Sequence, residues 1–459
     1  MAQMNGSGAA VIDVPDFIER QPIGRGQIRL LLLCAAVLFL DGFDAQAIGY
    51  VAPALAQEWH LSRAALGPVF SASLVGLMVG ALTLSPLADR IGRKWIIVLS
   101  TAAFGLGSLA TLLADDTTSL IAIRFATGLG LGGAMPNAVA MTAEFSPHRR
   151  RATMVMVMFC GFSVGAAIGG FIAAALIPAF GWRSVFLVGG LGPLLLAPAL
   201  AFVLPELVRF LALAGGADGR IAALLGAMFP GQAFAAGTRF GAREEAGQGM
   251  PVAQLFHDGR TVMTLLFWAV FFMSLLDLFF LSNWLPTVLS DLGASVSVAA
   301  MVGAMFQVGG VVGAVALGSL IDRFSFGALA LTYLLAAFAV AAIGLSSHSI
   351  PLATLAIFCA GLGIVGRQTA ANALAATHYP TALRATGVGW AFGIGRIGSI
   401  VGPVVGGMFL AMHLATDSLF LAAAAPALLA SLAAFGLRSV ATRHRGRDET
   451  QVALARAGE

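Results

Sequence analysis

Asp41 and Asp44 lie one helical turn apart inside an apolar run, and Arg124 lies inside another. Ionisable side chains set in apolar sequence are where this chain can do chemistry. At the centre of a membrane helix each costs roughly 2.5–3.5 kcal/mol to insert, so each predicts a partner. Asp41 and Asp44 share one helix face. Counted from residue 28 at 1.5 Å per residue, Asp41 lies about 20 Å deep. Arg124, in a run that crosses the other way, lies about 10 Å below the opposite surface. In a hydrocarbon core of about 30 Å these depths coincide. Either Asp41 or Asp44 can therefore pair with Arg124 if their helices touch. An acid that leaves and rejoins an arginine takes up and releases a proton; a purely structural ion pair is the alternative.

Arg396 lies about 16 Å into its own run, near mid-depth. The last three apolar runs contain no acidic residue that would neutralise it within the membrane. A planar guanidinium in that position suits the carboxylate of a substrate, held by two parallel hydrogen bonds. Pairing with Asp277, from the seventh run, is the competing account. Arg367, Gln368 and Asn372 add a polar stripe to the tenth run as candidate cavity-lining residues.

The elements that must position these groups follow from composition. Of 459 residues 59% are hydrophobic and 10% charged, against about 25% charged in soluble domains. Apolar runs long enough to cross a bilayer recur at about 28–52, 65–87, 94–114, 118–142, 152–177, 183–204, 261–286, 296–318, 327–346, 351–375, 385–411 and 418–437. The expected fold is all-α: twelve transmembrane helices in two six-helix bundles, 28–204 and 261–437. A cytoplasmic tail 1–27, a central loop 205–260 and a tail 438–459 complete the chain. Of the 26 Lys and Arg, 21 fall in the tails, the central loop and the even-to-odd loops. Positive charge stays cytoplasmic, so both termini are expected inside a multi-pass protein of the plasma (inner) membrane. The high isoelectric point follows from this bias and points to no nucleic-acid partner. Residues 1–27 show no signal-peptide pattern.

A shift of 233 residues aligns the chain with itself. Asp44 falls on Asp277, Asp89-Arg90 on Asp322-Arg323, Gly128-Leu129-Gly130 on Gly361-Leu362-Gly363, and Arg151-Ala152-Thr153 on Arg384-Ala385-Thr386. Matched positions are expected to serve the shared scaffold. The charges that break the match are Asp41 (opposite Ser274), Arg124 (Ile357), Arg367 (Ala134) and Arg396 (Ser163).

Several enzyme signatures also occur. Gly128–Gly133, Gly361–Gly366 and Gly393–Gly398 fit a dinucleotide fingerprint, and Gly161–Gly165 fits a nucleophile elbow. Each lies inside a membrane run rather than at a strand–turn–helix junction, so helix packing is the reading. Cys34, Cys160 and Cys359 are isolated, and the seven histidines are scattered. No metal, cofactor or catalytic activity is expected.

At the membrane boundary the residues resemble the major facilitator superfamily. Ser85-Pro-Leu-Ala-Asp89-Arg90-Ile-Gly92-Arg93-Lys94 is similar to its loop 2–3 signature GxxxDRxGRK, with Ser85 for the first glycine. Gly318–Arg323 is a shortened second copy, and Arg124-x-x-x-Gly128-x-Gly130 resembles the motif of its fourth helix. Asp41-Gly-Phe-Asp44, Gly130–Asn137, Tyr379-Pro380, Arg384–Trp390 and Gly393–Gly398 resemble the aromatic acid:proton symporters within it. That resemblance implies alternating access around a central cavity and uptake of an aromatic carboxylate, hydroxybenzoate- or benzoate-like, with protons, by a monomer. Arg396, Arg367, Gln368, Asn372 and Trp390 are then the substrate-binding candidates, and Asp41, Asp44, Arg124 and Asp277 the proton-coupling ones. A cytoplasmic latch is expected from Asp89, Arg90, Arg93, Lys94, Glu144, Arg151, Asp322, Arg323 and Arg384, where carboxylates meet helix N-termini. Ala166 stands where antiporters of the superfamily carry proline. A facilitator or exporter of another small solute, and a receptor or intramembrane enzyme, are the other classes weighed.

Overall fold

The computed structural model describes residues 3–4, 10–213, 218–229, 232, 234–235, 237–241, 252–257, 260–346, 349–368, 371, 374–375, 378–379, 381–412 and 414–457; the side chains of 3–4, 10–11, 209, 213, 317–325, 381–382, 384–385 and 443–457 lie outside that description. The chain is helical almost throughout. The principal helices are α1 (Arg25–Glu58), α2 (Arg63–Ile91), α3 (Arg93–Ala110), α4 (Thr117–Glu144), α5 (His148–Phe180), α6 (Arg183–Val203) and α7 (Thr261–Asp291). The helical segment Val296–Leu345 carries two apolar spans, α8 (Val296–Ala316) and α9 (Phe326–Leu345). Then follow α10 (Ile350–Ile364), α11 (Thr381–Ala411) and α12 (Thr416–Ala457). Among the described residues ten helices are long and apolar enough to cross a bilayer. The other two of the twelve expected spans fall on α1, which carries the run 28–52, and on α10, whose regular helix stops at Ile364.

Local sequence sets several boundaries. The Asp116 carboxylate accepts from the Ser119 amide at 2.8 Å and Ser119 answers, a capping box that starts α4. Ser295 caps the segment that opens with α8. Gly92, at φ +94°, turns the chain between α2 and α3, where a residue with a Cβ would be strained. Exposed Phe202, Leu195 and Val315 are typical of the outer surface. In water such a surface would aggregate; in a bilayer it is the lipid-facing side of a multi-pass membrane protein.

The chain divides into two compact units. The first comprises Met1–Ala47, Ala72–Ile172 and Ala179–Ala246; the second comprises Ile48–Ser71, Ala173–Pro178 and Gly247–Glu459. The first is centred on Cys34, Val37 and Leu38 of α1, packed with Leu131, Ala134 and Met141 of α4 and Met158 of α5. Outside the spans, β1 (Gln3–Met4) pairs antiparallel with β2 (Ala10–Asp13), which pairs parallel with β3 (Arg239–Gly241) of the central loop. In the second unit Phe267, Val270 and Phe271 of α7 pack with Leu329 and Tyr333 of α9, Ala391 of α11 and Ala434 of α12.

The internal repeat recurs contact for contact. A Cβ on Gly76 would strike the Phe125 carbonyl oxygen, and one on Gly309 that of Phe358, which is residue 125 shifted by the same 233. Gly128 meets Ser73 and Gly361 meets Phe306; Gly165 meets Phe39 and Gly398 meets Phe272. Each glycine therefore marks a crossing where two backbones touch, which is how membrane helices associate without a hydrophobic driving force.

The second unit also gathers the C-terminal ends of α1 and α5 and the N-terminal end of α2. Arg63 is ion-paired to Asp291, the Ser71 hydroxyl donates to the Ile400 carbonyl at 2.9 Å, and Ser297 donates to the Ala174 carbonyl. Phe70 stacks edge-on against Trp284, whose indole N–H donates to the Pro403 carbonyl at 2.9 Å.

Candidate functional site

Two buried clusters of charge occupy the spans, one in each unit. In the first, the Arg124 fork is closed on Asp44: Nη2 donates to Oδ2 at 2.9 Å and Nη1 to Oδ1 at 3.2 Å. Nη2 also donates to the Asp44 backbone carbonyl at 3.2 Å, and both side chains are 0% exposed. The guanidinium lies 5.4 Å from the Phe186 ring. Of the two aspartates on that face of α1, the structure gives Arg124 to Asp44, while Asp41, equally buried, sits one turn away. Bidentate geometry and complete burial make this an interaction whose loss strands a charge.

The second cluster is built differently. Asp277 of α7 and Arg367, just beyond α10, are both fully buried, and their charges act on each other. Yet among the described residues neither carboxylate oxygen of Asp277 accepts a hydrogen bond and no guanidinium nitrogen of Arg367 donates one. The Arg367 guanidinium carbon lies over the Tyr333 ring of α9, 3.0 Å from its centroid. Gln368 accepts from the Ser274 hydroxyl at 3.0 Å, one turn before Asp277. Arg396 is partly buried on α11, its carbonyl accepting from Ser399 at 2.6 Å. Trp390 is 44% exposed and stacks on Trp268, so its ring is spent on a surface contact. Asn372 lies outside the described residues.

At the ends of the spans, Asp89 lies 3.6 Å from Arg93 in its own loop, with its side chain 72% exposed. Arg90 is exposed, and Arg151 approaches the His148 ring at 3.5 Å. Glu144 is partly buried at the end of α4. The side chains of Asp322, Arg323 and Arg384 lie outside the described residues. Sequence reasoning missed Glu206. Its Oε1 accepts from the amides of Arg93 at 3.0 Å and Lys94 at 3.3 Å, so it caps the start of α3 from the chain that leaves α6. The sequence shows only a lone acid directly after Pro205 at the end of an apolar run, with nothing to name its partners. Glu206→Ala should cost about 0.5–2 kcal/mol, the usual worth of a helix cap. The check is a lower thermal midpoint that Glu206→Asp partly restores; an unchanged midpoint would show that water replaces the cap.

A twice-repeated run of membrane-spanning helices that seals a bidentate aspartate–arginine pair in its interior points to a membrane transporter rather than an enzyme. The sequence matches the Major Facilitator Superfamily over residues 34–236 and 266–457, and the chain belongs to that superfamily. It is similar to a gallate transporter of Pseudomonas putida, 44% identical over 92% of this chain and 94% of that protein. It is equally similar to the 4-hydroxybenzoate transporter PcaK of Pseudomonas aeruginosa, 44% identical over 92% of this chain and 95% of the other. An inward open structure of the xylose transporter XylE from E. coli superposes with a TM-score of 0.70 at 16% identity, covering 88% of this chain and 95% of that one. At that identity the superposition speaks for the fold, the twelve-helix major facilitator architecture.

Proposed function

We propose that this protein is a proton-coupled importer of aromatic carboxylates of the hydroxybenzoate kind, working by alternating access. The observation that carries the reading is 44% identity, over more than nine-tenths of both chains, to transporters named for gallate and 4-hydroxybenzoate. On this reading the protein acts as a monomer in the inner membrane, with both tails and the loop 205–260 in the cytoplasm. Arg396 is the first anchor for the substrate carboxylate, since its depth on α11 and its planar fork match a carboxylate's two oxygens. Asp41, Asp44 and Arg124 form the proton-coupling group of the first unit. Asp89 and its neighbours steady the cytoplasmic ends.

The test is uptake of radiolabelled 4-hydroxybenzoate into proteoliposomes with an inwardly directed proton gradient. Accumulation that collapses with a protonophore supports the reading; equilibration without accumulation would reduce the protein to a facilitator. In the same assay Arg396→Lys, which keeps the charge but loses the fork, should raise the apparent KM by about tenfold. A native KM in that variant would remove Arg396 from the site.

A further inference from the structure

The two buried aspartate–arginine sets differ in one respect that the fold alone does not require. Asp44 and Asp277 are repeat mates, and each has an arginine near it. In the first unit the arginine spends its fork on the aspartate. In the second the fork is open: Nε, Nη1 and Nη2 of Arg367 donate to nothing among the described residues, although the side chain is 0% exposed. A structural arginine at such depth would direct its five N–H groups at carbonyls or carboxylates. The Tyr333 ring packs against the guanidinium carbon and supplies no carboxylate to its donors. The amide nitrogen of Gln368, the next residue, is a further buried donor with no acceptor among the described residues, because Ser274 occupies only the amide oxygen. Among the described residues the unmatched donors of this cluster stand against two groups able to accept, the Asp277 carboxylate and the Tyr333 hydroxyl.

The backbone departs from regular helix at the same place. α10 stops at Ile364, and Val365–Arg367 form a turn before helix resumes at Gln368. The Gly361 carbonyl accepts both the ordinary Val365 amide at 2.9 Å and the Gly366 amide, five residues on, at 3.3 Å, so the last turn widens. Gly366 fits because its α-carbon lies against the backbone of Gly313 on α8. Interrupted helices at membrane depth are tolerated where they line a cavity or a binding position, and wide turns cluster at functional sites.

We propose that Arg367 is a carboxylate-binding station in the second unit, distinct from Arg396, at which the carboxylate of the transported acid displaces Asp277 as the counter-charge of the guanidinium. Gln368 supplies a further donor, Tyr333 packs against the guanidinium, and the Val365–Arg367 turn is the joint that opens its donors to the ligand. Asp277 sets the threshold: while it neutralises Arg367, only an anion offering two parallel oxygens competes. This rests on the aromatic-acid reading above.

The experiment compares 4-hydroxybenzoate with its neutral isostere 4-hydroxybenzamide, by calorimetry on the purified full-length protein. Wild type should prefer the acid by roughly thirtyfold or more, the scale of a charge-assisted fork. Arg367→Gln should cut that preference to below about threefold, since the fork and its charge are gone. Asp277→Asn removes the competitor and should tighten acid binding by about fivefold or more while leaving the amide unchanged. That gain cannot come from a misfolded protein, so it decides the matter even if Arg367→Gln fails to fold. A native acid preference in Arg367→Gln, or an Asp277→Asn protein that binds the acid no tighter, overturns the station. Wild-type protein that binds neither compound would instead remove the aromatic-acid reading itself.

Discussion

Asp44→Asn and Arg124→Gln should each cost about 3–5 kcal/mol of stability, because each strands the other member of a fully buried pair. Arg124 has three hydrogen bonds to Asp44, two to its carboxylate and one to its carbonyl. Without the carboxylate the guanidinium keeps its charge and loses its neutralising partner in an environment that solvates neither. The double variant Asp44→Asn/Arg124→Gln removes both charges and should recover most of that loss, since an amide pair can still hydrogen-bond. The measurement is thermal unfolding of the purified variants in detergent, arranged as a double-mutant cycle. Additive losses would mean that the pair is not coupled and that the closed fork contributes little. The recovered double variant is then expected to be silent in proton-driven uptake, having no ionisable group left at that position.

Asp41→Asn should abolish accumulation without unfolding the protein. Asp41 is buried on the same face of α1, but the fork of Arg124 is already occupied by its neighbour. It also has no counterpart in the second half, where Ser274 stands at the matching position. A group required by the shared scaffold would be expected in both copies, which is why the proposed function assigns Asp41 to transport rather than to the frame. An asparagine there imitates the protonated acid and cannot release the proton. The ratio of internal to external 4-hydroxybenzoate, driven by a pH gradient, should fall to about one, while exchange at equal concentrations stays within about threefold of wild type. Undiminished accumulation in Asp41→Asn, in Asp44→Asn and in the double variant would take proton coupling away from both aspartates.

Much of the fold was legible because a bilayer demands long apolar runs and the repeat doubles every signal. The glycines that aligned at a spacing of 233 do so because both halves make the same backbone crossings, as Gly128 with Ser73 and Gly361 with Phe306 show. Depth arithmetic brought the acids of α1 level with Arg124, but could not choose between Asp41 and Asp44. Both lie on one face a turn apart, and the long arginine reaches either. The opposite difficulty hid the interruption after Ile364. Gly361, Gly363 and Gly366 read as ordinary close-packing residues, and only coordinates show the amide of Gly366 reaching back to Gly361. Glu206 escaped because its partners are backbone amides, which leave no mark in a sequence. Trp390 was drawn in by its motif, while its ring lies exposed on Trp268.

The small sheet outside the spans implies an order of assembly. Val11 of β2 sits opposite Arg239 of β3, so a strand made near the start of synthesis waits for one that follows 228 residues later. At about 5–20 residues per second that delay is roughly 11–46 s, during which the segments that become α1–α6 are made. The sheet is thus a late fastening: it can close only once the whole first half of the chain has been made.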